Sequence, residues 1–168
     1  TTKQAAELHG KADRENLYIK IPGTPEGLPA IEETIFAGIP VNVTLLFDSQ
    51  QHLACADAYM KGIERRIEAG LDPKVESVAS LFMSRWDVAV AKDGIADELK
   101  NRIGIAIGKR AYRNYVESKN SDRVKKIEEA GGHHQRLLWA STGTKDPEAS
   151  DTLYIEAFAS PDTVNTMP

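Results

Sequence analysis

Short, continuous apolar runs alternate along this chain with longer stretches in which apolar residues recur every three or four positions, a rhythm that predicts strands separated by helices. The first dozen residues, with Ala5, Ala6, Leu8 and Ala12 among polar neighbours, predict the end of an amphipathic helix. Strands are predicted at 17–21, 41–47, 78–83 and 137–140, and a fifth at 163–167. Between them, Thr24-Pro25-Glu26 opens a helix that runs to Ala37 and stops at Gly38. Asp48 or Ser49 caps a long helix that reaches about Ala69 and ends at Gly70. The charged region 87–119 holds more than one helix, and 151–159 is a short one.

The strands are unbroken apolar runs rather than clean alternations of apolar and polar residues, which is the mark of a parallel sheet covered by helices. The predicted class is therefore α/β. Side chains alternate faces along a strand, so each run divides by parity. In the first, Leu17, Ile19 and Ile21 oppose Tyr18 and Lys20; in the second, Val41, Val43, Leu45 and Phe47 oppose Asn42, Thr44 and Leu46. Ser80 shares a face with Val78 and Phe82, and Ser141 is in phase with Leu137 and Trp139. If the polar faces point the same way, Lys20, Asn42, Thr44, Ser80 and Ser141 converge on one pocket. A (β/α)8 barrel, with chemistry at the carboxyl ends of its strands, suits that arrangement better than a doubly wound sheet, which stays as the alternative.

Lys20 is the residue that breaks the pattern. Desolvating an ammonium is costly unless it is paired or neutralised. A lysine dried among Tyr18, Leu46 and Phe82 is expected to have its pKa lowered, which frees the amine to attack a carbonyl and form a Schiff base. Such an imine, once protonated, is an electron sink and needs neither metal nor organic cofactor. Asn42 and Thr44 would orient sugar hydroxyls or a water. The alternative is that Lys20 snorkels to the strand end. Ser80 and Arg85 near the end of the third strand, and Ser141, Thr142, Gly143 and Lys145 after the fourth, offer the donors and positive charge that a phosphate requires. A solvated surface position is the alternative for Arg85 and Lys145.

Composition narrows the classes. The chain has 168 residues, enough for one domain, and a net charge of −4 with basic and acidic residues interleaved, so nucleic acid is not an expected partner. No apolar stretch approaches the roughly 18–20 residues that span a bilayer, no signal segment opens the chain, and no membrane association is expected. A soluble, cytoplasmic protein is the expectation. The lone Cys55 sits in an Ala-rich helical stretch and is read as a small buried thiol. Gly104–Arg110 resembles a P-loop but is a residue short and lacks the Ser or Thr for magnesium. Asn42-Val43-Thr44 matches a glycosylation acceptor but lies within a strand, and His133-His134 has no partner at metal-ligand spacing; no metal site is predicted.

The stretch IKIPGTPEGLPAIEETIFAGIPVNVTLLF resembles the Schiff-base lysine strand and the following Asn-x-Thr strand of transaldolases. LLWASTGTKDP and PDTVNTMP resemble the last part of the barrel in the branch found in actinobacteria and in fused transaldolase–isomerase proteins. The likeness covers nearly the whole chain. It implies a (β/α)8 barrel in which Lys20 forms an imine with a ketose phosphate, sedoheptulose 7-phosphate or fructose 6-phosphate. A dihydroxyacetone unit is retained and passed to an aldose phosphate, as in the pentose phosphate pathway, without a cofactor. It implies further that Asn42 and Thr44 position substrate and water, that Ser80 stands near the substrate, and that Arg85 and Ser141 contact phosphate. Other branches have an arginine where this chain has Gly143, so Lys145 is the substitute expected. The family's acid/base Asp and its helper Glu, carried on the first strands, have no counterpart here. The order of motifs assigns this chain about five βα units, strands four to eight, in a single domain that is a fragment of a longer barrel. Such a piece is expected to self-associate or to pair with the missing half, with weak or no activity alone. The competing readings are a non-catalytic phosphosugar-binding or assembly half-barrel, and another lysine-dependent aldolase.

Overall fold

The computed structural model describes residues 1–167. Its elements run α1 (Thr2–Ala12), β1 (Ile19–Pro22), α2 (Leu28–Phe36), β2 (Val41–Leu46), α3 (Ser49–Glu68), β3 (Ser77–Phe82), α4 (Ser84–Ala91), a 3-10 turn (Asp97–Leu99), α5 (Ile103–Lys119), α6 (Asp122–Glu129), β4 (Arg136–Ala140), α7 (Leu153–Ala157) and β5 (Thr163–Asn165). All neighbouring strands are parallel and lie in chain order, β1-β2-β3-β4-β5.

That order decides between the two α/β architectures. A doubly wound sheet reverses direction at a switch point and so has helices on both faces. Here the strand order never reverses. Right-handed crossovers then carry every connecting helix to the same face. The main core confirms this placement: Ile21, Val41, Val43, Ala79, Leu81, Leu137 and Trp139 from the strands pack with Ile31, Ile35, Tyr59, Ile63, Tyr115 and Phe158 from the helical segments. Trp139 and Phe158 stack with ring centroids 4.4 Å apart. Among the described residues the opposite face has only a small cluster, Val78, Leu138 and Ala140 with Tyr18, Phe82 and Val164 around it. The sheet is open, with helices on one side, as in a sector of a barrel.

Local chemistry sets the boundaries. Asp48 caps α3, its carboxylate accepting from the N–H groups of Gln50 and Gln51 at 2.7 and 2.8 Å. Gly38, at φ 83°, lets the chain leave α2 and turn into β2. The helix expected to open at Thr24 starts instead at Leu28, because the Thr24 carbonyl accepts from both Gly27 and Leu28 and holds residues 24–27 in a turn. β1 begins two residues later than predicted, after a bend in which the Leu17 N–H bonds the Arg14 carbonyl. Helix α6, which the charged pattern concealed, is capped by the Ser121 hydroxyl and buries Val124 and Ile127.

Two predicted parities are corrected. The register between β2 and β3 shifts between Val43 and Leu46, with Leu45 at φ 61°. This bulge turns Leu46 into the helix-side core and leaves Leu45 exposed, so Leu46 is not a neighbour of Lys20. Ser141 does not follow Leu137 and Trp139 toward the helices. At φ 54° it leaves the strand and turns to the carboxyl-end rim.

Candidate active site

Register partners in parallel strands present side chains to the same face, so the ladder itself assembles the site. Lys20 pairs with Asn42, Asn42 with Val78, and Val78 with Arg136, which makes one row across the helix-free face. The next row toward the carboxyl ends holds Pro22 beside Thr44, and Ser80 beside Leu138 and Val164. The two rows are joined by a hydrogen bond in which the Ser80 Oγ donates to Asn42 Oδ1 at 2.7 Å. With its oxygen so engaged, the Asn42 amide has its nitrogen left to donate. Thr44 is 6% exposed, and its hydroxyl has no partner among the described residues.

Lys20 is on the expected face and beside the expected partner, but it is exposed. The drying predicted from its apolar sequence neighbours does not occur in this chain, because Leu46 is turned away and no layer covers the open face. Tyr18, two residues earlier on that face, is half-buried; burial first, and then the charge of Glu76, push its phenol pKa up.

At the carboxyl-end rim the structure separates residues that the sequence grouped. Arg85 is exposed on the first turn of α4 and lines a hollow with Phe47, Asp48, Gln51 and Trp86. Lys145, also exposed, lines a different hollow with Ser84, Asp87, Lys100 and Tyr154. The α4 residues in the two hollows, 85, 86 and 89 against 84, 87, 88 and 91, belong to opposite faces of one helix. Ser141 lies at the same rim, its Oγ 2.9 Å from Ser84 Oγ.

Helix α4 is fixed from two further sides. The Trp86 indole N–H donates to the Phe47 carbonyl at 2.7 Å, which links α4 to the segment after β2. Buried Asp87 accepts from the N–H groups of Ile103 and Gly104 at the start of α5, and from the Tyr154 hydroxyl at 2.6 Å. Gly104 is required there, since a Cβ would stand 2.6 Å from the Met83 carbonyl oxygen and 2.7 Å from Asp87 Oδ2. Sequence reasoning missed both Ser84 and Asp87, although they flank Arg85 in Ser84-Arg85-Trp86-Asp87.

The residues set aside earlier take structural positions. Cys55 is wholly buried, and burial pushes its thiol up to about 12, so it is not a ready nucleophile. Gly104–Arg110 is helix, not an anion-binding loop. His133 and His134 each face a carboxylate, Glu76 at 2.5 Å and Glu128 at 2.9 Å. Among the described residues no helix is long and apolar enough to cross a membrane.

The family model for Transaldolase/Fructose-6-phosphate aldolase matches residues 1–168. The chain belongs to this family. It is 49% identical over 176 aligned positions to a transaldolase of Mycolicibacterium smegmatis, and 44% over 185 to one of Trichodesmium erythraeum. It is 46% identical over 175 positions to Transaldolase 2 of Streptomyces coelicolor. Each comparison takes in all of this chain but only 47 to 48% of the relative, so the chain spans about half the length of the curated relatives it matches. Transaldolases are (β/α)8 barrels, and an open sheet of five sequential parallel strands with helices on one face is part of such a barrel.

Proposed function

We propose that this chain carries the Schiff-base lysine and the sugar-phosphate rim of a transaldolase, with Lys20 as nucleophile. The observation that carries the reading is the juxtaposition of Lys20, Asn42 and Ser80 on the helix-free face, by register and by hydrogen bond, in a chain matched by the family model from end to end. The neutral Lys20 amine adds to the ketone carbon of a ketose phosphate, and loss of water leaves a protonated imine. The carbon–carbon bond one carbon beyond the imine then breaks. Its electron pair flows toward the imine nitrogen, the neighbouring hydroxyl gives up its proton, and an aldose phosphate departs. The enamine that remains holds a dihydroxyacetone unit and adds to a second aldose phosphate. Water then releases the new ketose phosphate and regenerates the amine.

Asn42, its oxygen held by Ser80, donates to a substrate hydroxyl, and Thr44 offers its unpartnered hydroxyl to the water. Arg85 and Ser141 hold the phosphate; Lys145, which lines a separate hollow on the opposite face of α4, is not assigned to it. The proton acceptor is supplied by strands beyond this sequence, as the family resemblance implies. In a polypeptide of the relatives' length those strands also cover the open face and take Lys20 out of water. Among the described residues the outer edges of β1 and β5 are unpaired, which favours association with a second copy or with such a complement.

The family description also names fructose-6-phosphate aldolase, and this supports a second reading in which the three-carbon unit is released. Incubating the native polypeptide with fructose 6-phosphate, with and without an aldose phosphate acceptor, separates the two. Transaldolase chemistry gives product only with acceptor, whereas aldolase chemistry gives free dihydroxyacetone without it.

A further inference from the structure

From the geometry of the rim we infer that Ser84 is a positioning residue for phosphate recognition, acting through Ser141. The inference rests on the reading of the Arg85–Ser141 rim as the phosphate site. Ser141 stands at φ 54°, a conformation that residues with a Cβ rarely adopt, so something must hold it there. Ser84 does so with two groups: its backbone N–H donates to the Ser141 carbonyl at 3.0 Å, and the two Oγ atoms lie 2.9 Å apart. The Met83 N–H likewise bonds the Ala140 carbonyl at 3.0 Å, so the contacts between β3 and β4 continue past both strands into this turn.

The hydroxyl chemistry then has a direction. A serine hydroxyl owns one proton, and a phosphate oxygen at neutral pH mainly accepts. When Ser141 donates to the anion, its oxygen can only accept from Ser84, and Ser84 becomes the donor of the pair. That bond polarises the Ser141 hydroxyl and fixes its torsion. Ser84 is 1% exposed, which places it behind Ser141 rather than beside it, and its hydroxyl has Ser141 as its one hydrogen-bond partner among the described residues. Its helix is itself immobilised by Asp87 and Trp86, so the donor's position is set by α5, α7 and the segment after β2.

The test is made in the native polypeptide that carries this sequence, with Ser84→Ala and Ser84→Cys, the second keeping the bulk with a weaker donor. Fructose 6-phosphate is compared with unphosphorylated fructose, and inorganic phosphate serves as competitive inhibitor. Ser84→Ala is expected to raise KM for the phosphorylated donor and the inhibition constant of phosphate together, by about tenfold, the upper range for one hydrogen bond. The fall in kcat and the change with unphosphorylated fructose stay below about threefold, and Ser84→Cys falls between. Equal losses with both donors, or unfolding of both variants by circular dichroism, would place Ser84 in the scaffold and overturn the inference. So would an unchanged Ser84→Ala beside a Ser141→Ala that loses phosphate affinity. If Ser141→Ala and Arg85→Ala both leave phosphate affinity untouched, it is the assignment of the rim to phosphate that fails.

Discussion

Ser80 donates its hydroxyl to the Asn42 side-chain oxygen across 2.7 Å, and this bond, on the face that also carries Lys20, ties the Asn42 amide on β2 to β3. Ser80→Ala is expected to lower kcat/KM by about tenfold, the value of one oriented hydrogen bond. Steady-state kinetics on the native polypeptide measures it. Ser80 is buried, yet the loss should leave thermal stability nearly unchanged, because both partners are polar and Asn42 stays within reach of water.

Asp87 holds three elements together through the N–H groups of Ile103 and Gly104 and the hydroxyl of Tyr154. Burial, and then the Asp87 carboxylate, push the Tyr154 phenol well above its ordinary range, so the phenol remains the donor throughout. Asp87→Asn turns an NH2 group toward at least one of these donors and is expected to cost about 2 kcal/mol. Urea unfolding should show a lower midpoint at constant slope. Tyr154→Phe should cost about half as much and be less harmful in the Asp87→Asn background, since the two share a bond.

His52 is 1% exposed, and neither ring nitrogen has a hydrogen-bond partner among the described residues. It lines a cavity together with Tyr59 and Met60 of α3, Tyr115 and Lys119 of α5, and His133 and His134 of the loop before β4, and the Tyr115 ring meets it edge-on at 6.0 Å. Burial lowers its pKa from 6.5 to about 4. Between those values the unfolded chain takes up a proton that the folded chain refuses. Stability therefore falls as pH drops from about 6.5 to about 4 and is not reduced further by this group below that. The accumulated loss is about 3 kcal/mol. His52→Leu should remove this component, which denaturation midpoints measured from pH 7 to pH 4 will show.

The open face predicts what the chain does by itself. Lys20 is exposed, so the isolated chain is expected to turn over very slowly while retaining some imine formation. Mixing it with the remaining half of a relative-length barrel should raise turnover by orders of magnitude and shift the sedimentation of both pieces. Unchanged activity in a verified complex would place the catalytic deficit elsewhere.

The alternation of apolar runs and amphipathic stretches was enough to place all five strands and most helices, since each run needs a buried face and each helix a core-facing stripe. It was not enough for α6, whose eight residues bury only Val124 and Ile127 and merge into a charged region. Nor did parity foresee the bulge at Leu45, because Leu45 and Leu46 are both apolar and either one could fill the helix-side core position. Lys20, Asn42 and Ser80 were legible as polar interruptions on one face. Ser84 and Asp87 were not, because their roles depend on Ser141 and on Gly104 and Tyr154, partners 17 to 67 residues away that only folding brings close. The wetness of Lys20 was illegible for a related reason: a strand's own sequence does not record what covers its second face.

Reduction with borohydride in the presence of fructose 6-phosphate, followed by mass spectrometry of the digested native polypeptide, tests the nucleophile directly. A three-carbon dihydroxyacetone adduct on the peptide containing Lys20, absent in Lys20→Met, is the predicted result. Turnover by the folded polypeptide with no adduct at Lys20, or with the adduct on another lysine, would contradict it.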